Sequence, residues 1–166
     1  MPKEPKTLDN LFHDSLRDIY FAEKKILTAL PKMANAAQNE DLAAAFEKHH
    51  RETEGQVQRL ERVFALMEES PRGKNCPAIL GILEEGKEVM EDYKDSAALD
   101  AGLLSAAQAV EHYEISRYGT LIAWANEIGL QEAVPLLEAT LSEEKATDEA
   151  LTQLAEKAIN QEAEAA

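Results

Sequence analysis

The stretch that decides the fold is Leu103-Leu-Ser-Ala-Ala-Gln-Ala-Val-Glu-His-Tyr-Glu-Ile-Ser-Arg-Tyr-Gly-Thr-Leu-Ile-Ala-Trp-Ala-Asn-Glu-Ile128. It has no proline, a single glycine and mostly good helix formers. With an advance of about 100° per residue, Leu103, Ala107, Val110, Leu121, Ala125 and Ile128 fall on one face. Glu111 and Glu114 interrupt that row. A carboxylate on a core-facing stripe is costly to bury without a partner, so the helix carries an anomaly as well as a fold signal.

The same pattern recurs three times. Toward the N-terminus, Leu8, Phe12, Leu16, Ile19, Ile26, Leu27, Leu30 and Ala34 share a face with Glu23 in its middle. The next helix sets Leu42, Phe46, Leu60, Val63 and Met67 around His49, with Glu52 and Gln56 about 60° away. The last has Leu137, Leu141, Leu151, Ala155 and Ala158, interrupted by Glu144 and Asp148. Working outward from these faces, four long helices are expected over about 8–37, 40–69, 97–127 and 131–160, here A to D. Asn39 is a candidate N-cap, Asp95-Ser96 can start a helix, and Gly129 sits where one should stop. The loop from Ser70 to Pro77 and a short helix near 78–93 form a long crossover between B and C. Two hairpins joined by a crossover predict an all-α, ferritin-like four-helix bundle, one domain over residues 1–166. Pro31 should kink A near its end, and Pro135 is tolerable in the first turn of D.

Composition narrows the function. The 166 residues carry 17 Lys+Arg against 32 Asp+Glu, a net charge of −15, which argues against nucleic acid and against an anionic membrane surface. Hydrophobic residues at 45% and charged residues at 30% are an ordinary globular balance. The lone Cys76 rules out a disulfide framework, a cysteine zinc site and a C-x-x-C pair. No apolar run approaches the roughly 18 residues of a membrane span, and Met1-Pro-Lys-Glu-Pro-Lys6 has no apolar core of a leader, so a cytoplasmic protein is expected.

The interruptions fall at compatible heights along antiparallel helices, which brings Glu23, His49, Glu52, Glu111, Glu114, Glu144 and Asp148 together near mid-bundle. Taken singly, each has a plainer reading: a buried acid paired with Lys or Arg, or a hydrogen-bonded core histidine. Taken together they do not, because no Lys or Arg shares the inward stripes at these heights. Such a group cannot stay ionised without counter-charge, and two divalent cations would neutralise much of it. A carboxylate-rich set with one imidazole suits iron, with manganese as the alternative, better than zinc or copper.

Other residues fail the test of facing inward. Glu47 and His50 match a Glu-x-x-His pattern, yet Glu47 lies about 160° from His49 and reads as solvated, with His50 on the flank. His112 points about 160° from Glu114, toward a second interface. Leu104, Ile115 and Ile122 form a lateral stripe there for the crossover helix or a second subunit, and His13 reads as a surface or helix-start residue. Tyr20 and Tyr118 face inward a turn from Glu23 and Glu114, with core packing favoured over hydrogen bonding to a ligand. Gly55 and Gly119 sit mid-helix, which suggests close helix approach.

At these residues the chain resembles the YciE/YciF family of ferritin-like proteins. The likeness spans about residues 8–157 and is carried by Leu16-Arg-Asp-Ile-Tyr-Phe-Ala-Glu-Lys24, His49-His-Arg-Glu-Thr-Glu-Gly-Gln56 and Lys74-Asn-Cys-Pro-Ala78. Ala107-Gln-Ala-Val-Glu-His-Tyr-Glu-Ile115, Tyr118-Gly-Thr120 and Glu143-Glu-Lys-Ala-Thr-Asp148 are its most specific motifs. The resemblance implies a rubrerythrin-like bundle, a homodimer, a bacterial source and a role in stress. It also places Glu23, Glu52, Glu111, Glu114 and Glu144 where ferritin-like di-iron proteins keep their acids. Two departures stand out: His49 precedes its Glu by three residues, and Asp148 occupies a position where histidine is usual.

Two functions follow as expectations. The first is a carboxylate-bridged di-metal protein of the stress response, reacting with Fe(II) and O2 or peroxide, with Glu52 and Glu144 as bridges. The second is a non-catalytic structural or partner-binding dimer with a stabilising or vestigial metal site. An ion-storage cage fits less well, since no fifth C-terminal helix follows D. The absence of C-x-x-C pairs leaves no rubredoxin-type electron donor within the chain.

Overall fold

A computed structural model of the chain describes residues 4–165. The leader-free reading of Met1–Lys3 and the last residue of the expected domain lie outside the described residues. The helices are α1 Leu8–Ala36, α2 Glu40–Leu66, α3 Pro77–Asp92, α4 Leu99–Glu127 and α5 Val134–Leu154. One wide π-turn, Ala155–Ile159, leads into a short α6, Asn160–Glu164. No strand occurs among the described residues, and the all-α expectation holds.

Local chemistry sets the helix ends. Thr7 and Asn10 form a reciprocal capping box at the start of α1, with the Thr7 N–H donating to Asn10 Oδ1 at 2.9 Å. Asn39 caps α2 as expected, accepting from the N–H groups of Asp41 and Leu42. That helix ends three residues before the expected 69, because Glu68 turns to φ 57° and the Glu69 N–H closes back on the Phe64 carbonyl. Gly129, at φ 77°, ends α4 with the same closure, Leu130 N–H to Ala125 C=O. At the other end α4 starts at Leu99 instead of 97, since Ser96 Oγ accepts from the Ala98 N–H and shapes a preceding turn. α5 begins at Val134 instead of 131, with Pro135 in its first turn and α1 running on through Pro31 to Ala36.

α1 packs on α2 and α4, and α5 on the same two, so the four long helices close around one core. Phe12, Leu16 and Ile19 of α1 meet Phe46, Leu60 and Phe64 of α2 and Leu103 and Leu121 of α4 in that core, all buried. Leu8, Leu27 and Ala34 of the predicted stripe are only half-buried. α3 crosses α1 and α4 from outside, and Gly86 and Gly102 make that approach possible. A Cβ on Gly102 would lie 2.6 Å from Val89 Cγ1, whereas Gly86 faces Ala106 at an ordinary 3.5 Å. The crossover helix therefore approaches α4 closely at Gly102 and Ala106. Gly55 and Gly119 have open space around them, so close helix approach is not their reason.

Asp100, a residue the periodicity does not single out, ties the ends together. Its buried carboxylate accepts from the N–H groups of Gln38 at 2.8 Å and Asn39 at 2.7 Å, holding the α1–α2 link against α4.

Candidate metal centre

All four long helices deliver polar side chains to the bundle interior: Glu23 from α1, His49 from α2, Glu111 and Glu114 from α4, and Glu144 from α5. Each of the four glutamates has no exposed surface, and His49 has 2%. One ligand atom from each of His49, Glu111, Glu114 and Glu144 lies within 4.8 Å of the others. His49 Nδ1 stands 2.7 Å from Glu111 Oε1, while Nε2 faces Glu144 Oε2 at 3.7 Å and Glu114 Oε2 at 3.9 Å. Glu23 borders this group from α1, where the Tyr118 hydroxyl donates to its Oε1.

The electrostatics are one-sided. Among the described residues, none of these four glutamates has a Lys or Arg within ion-pair distance. Glu23 Oε2, Glu111 Oε2, both oxygens of Glu114, Glu144 Oε2 and His49 Nε2 are buried with no hydrogen-bond partner, and Glu111 Oε1 has only the His49 imidazole beside it. Burial, reinforced by the charge of Glu144, pushes the Glu23 carboxyl up to about 8. Burial first, then neighbouring carboxylates, raises Glu111 and Glu114 well above the usual range. Burial lowers His49, against the opposing pull of Glu144 and Glu52.

The flank formed by α2 and α5 is polar. Gln56 Nε2 donates to Glu144 Oε1 and, at 3.1 Å, to Glu143 Oε2. Arg59 holds Glu143 by two hydrogen bonds, 2.8 and 2.5 Å, and reaches Thr140 Oγ1 at 3.1 Å. A neutral amide thus stands between the surface ion pair and the buried acids.

Of the seven residues predicted to meet, five do so in the interior. Glu52 and Asp148 sit half-buried at the margin with other partners. Glu52 accepts from Thr147 Oγ1 at 3.3 Å and faces Lys48 at 3.5 Å, and Asp148 lies 3.1 Å from His112 Nε2 and 3.3 Å from Gln108 Nε2. His112 points away from the buried cluster, as its place on the helix predicts, and is largely exposed beside Asp148. The tyrosines divide: Tyr118 bonds to Glu23, against the preference for simple packing, whereas Tyr20 donates to Glu61 at 3.0 Å and stacks edge-on against Phe64. Glu47 is exposed as predicted, and His50 stays half-buried on the flank. Gln56 falls near the inward stripe without a predicted role, and the Arg59–Glu143 pair that steadies it is not signalled by helical periodicity.

Residues 7–164 match the sequence model of the family described as Domain of unknown function (DUF892). The chain belongs to that family. It is 45% identical over 161 residues to the protein YciF of Escherichia coli K12, covering 96% of each chain. The solved structure of the E. coli stress protein YciF superposes with a TM-score of 0.89 at 43% identity, over 94% of this chain and 99% of that one. YcfI of Rhodopseudomonas palustris gives 0.87 at 45% identity, over 92% and 97%. A protein of Xanthomonas campestris shares the fold at a TM-score of 0.69 and 24% identity, over 90% of this chain and 92% of that one. The family read from the His49–Gln56, Ala107–Ile115 and Glu143–Asp148 motifs is therefore the right one. Among the described residues, no helix is long and apolar enough to cross a membrane.

Proposed function

We propose that the buried cluster is a di-metal centre, with iron as its metal and manganese as the alternative, serving Fe(II) and O2 or peroxide chemistry under stress. The observation that supports this reading most is the set of buried acid and imidazole atoms, six of them with no polar partner at hydrogen-bond distance, with no Lys or Arg among them. Ligand atoms held by one ion at about 2.1 Å stand roughly 3–4.2 Å apart, and the 3.7 and 3.9 Å gaps about His49 Nε2 suit that spacing. Oxygen-rich donors with one imidazole fit iron or manganese. In this reading Glu111, Glu114, Glu144 and His49 hold the ions from three helices, and Glu23 holds from the fourth. Glu52 and Asp148 remain candidates at the margin.

The remaining side chains do work that needs no metal to describe. Tyr118 fixes one oxygen of Glu23, leaving the other free. Gln56, steadied by Glu143 and Arg59, does the same for Glu144. Fixing carboxylates this way orients them for an incoming cation. Bound iron would supply one-electron redox chemistry.

Anaerobic loading with Fe(II) or Mn(II), followed by elemental analysis and calorimetry, tests the reading. Two ions per chain are expected, with loss of both on combined Glu111→Gln and Glu144→Gln substitution. Protein that retains neither metal sinks the proposal. Retention of metal with Fe(II) oxidation no faster than in buffer moves the conclusion to a stabilising site.

A further inference from the structure

The centre has a second flank, and its chemistry is the opposite of the first. On the side covered by α3, two small cavities lie end to end. The inner one, of about 10 Å³, ends on His49 and Glu111, and the outer one, of about 20 Å³, lies beneath Ile82, Gly86 and Met90. They share the walls Ala29, Met33, Leu83 and Val110. Apart from His49 and Glu111 at the inner end, every lining residue is apolar. Ile82, Met90 and Ala106 on the outer wall are only half-buried, which brings the series close to the surface.

A water molecule needs about 10–15 Å³ of such space and two to four polar partners, and the outer cavity offers none of those partners. Apolar cavities stay dry and take up small uncharged molecules such as xenon. A hydrated cation, or a peroxide that must keep its hydrogen bonds, would lose them along this wall. The α2–α5 flank, with Gln56, Glu143, Arg59 and Thr140, supplies polar partners instead.

We propose that the dry series beneath α3 is the route by which dioxygen reaches the His49–Glu111 face, and that its apolar walls exclude ions and peroxide. The route's use rests on the di-metal reading; its existence does not.

The experiment therefore starts with metal-free protein. Methyl NMR under dissolved oxygen reads where the gas resides. The Ile26, Ala107 and Val110 methyls, all buried on the cavity walls, should show paramagnetic relaxation at least about twice that of the comparably buried methyls of Leu16, Leu60 and Val63. Ala29→Leu, which fills the shared segment, should remove the excess at Ala107, and Leu83→Ala, which widens it, should increase it. Equal relaxation at both sets of methyls, or an Ala107 signal indifferent to both substitutions, overturns the proposal. In Fe(II)-loaded protein, Ala29→Leu should slow oxidation by O2 about fivefold or more and leave oxidation by peroxide within about twofold. An unchanged O2 rate in that variant also overturns it. Failure to load iron would count against the metal centre, with the oxygen NMR still deciding the passage.

Discussion

Tyr118 of α4 and Glu23 of α1 are joined across the bundle by a hydrogen bond in which the phenol donates, and neither residue has any exposed surface. Tyr118→Phe removes the hydroxyl donor from one oxygen of this buried carboxyl. Such a loss costs about 1–3 kcal/mol. The metal-free variant should melt correspondingly lower, by a few degrees in a calorimetric scan. Saturating Mn(II) should restore part of the loss, since the freed oxygen can still meet an ion. No change in melting temperature would show that the bond contributes nothing.

The buried acids give metal-free protein an unusual response to pH. Folding raises Glu23 to about 8 from its ordinary 4.5, and Glu111 and Glu114 shift the same way. The folded chain therefore keeps protons that the unfolded chain has released, and stability falls as pH rises through that window. His49 is lowered from 6.5 and acts oppositely, losing stability as pH drops below that value. Between pH 6.5 and 8 only the carboxyl effect operates. The melting temperature of the metal-free protein should decline over that interval, and Mn(II) should flatten the decline. A flat or rising profile without metal would contradict the shifts.

The glycines separate packing from propensity. Gly55→Ala and Gly119→Ala enter open space and should each stabilise the chain by about 0.5–1 kcal/mol in urea unfolding. Gly102→Ala would force Val89 aside, a stiff β-branched neighbour, and should cost about 1–2 kcal/mol.

Removing the Asp100 carboxylate exposes the link it secures. Asp100→Ala strips the Gln38 and Asn39 N–H groups of their charged acceptor, a loss of about 2–3 kcal/mol, with Asp100→Asn recovering some of it. Wild-type stability in Asp100→Ala would mean that water replaces the carboxylate at no cost.

Helical periodicity was enough to read the bundle and the inward direction of Glu23, His49, Glu111, Glu114 and Glu144, because burial repeats with the turn of the helix. It could not separate Glu144 from Asp148. The two are four residues apart on nearly the same face, yet one is enclosed and the other meets His112 and Gln108 at the rim. Depth depends on the neighbouring helix, which a single helix pattern does not contain. The tyrosines make the same point: Tyr118 finds Glu23 on α1, while Tyr20, also facing inward, finds Glu61 on α2. Gln56 drew no attention as a ligand type, and its value lies in joining Glu144 to Glu143. Helix ends were legible where glycine stands in the left-handed turn, as at Gly129, and missed where Glu68 adopts it.

α3 is held far less firmly than the helices it covers. Only Ile79 and Gly86 of its residues are buried, against nine in α1, and it closes the outer cavity from above. Its backbone amides should therefore exchange with solvent through a local opening far cheaper than global unfolding, with the four long helices still assembled. The rate at which a gas molecule enters the interior is then set by the breathing of one peripheral helix and is separable from the bundle's overall stability.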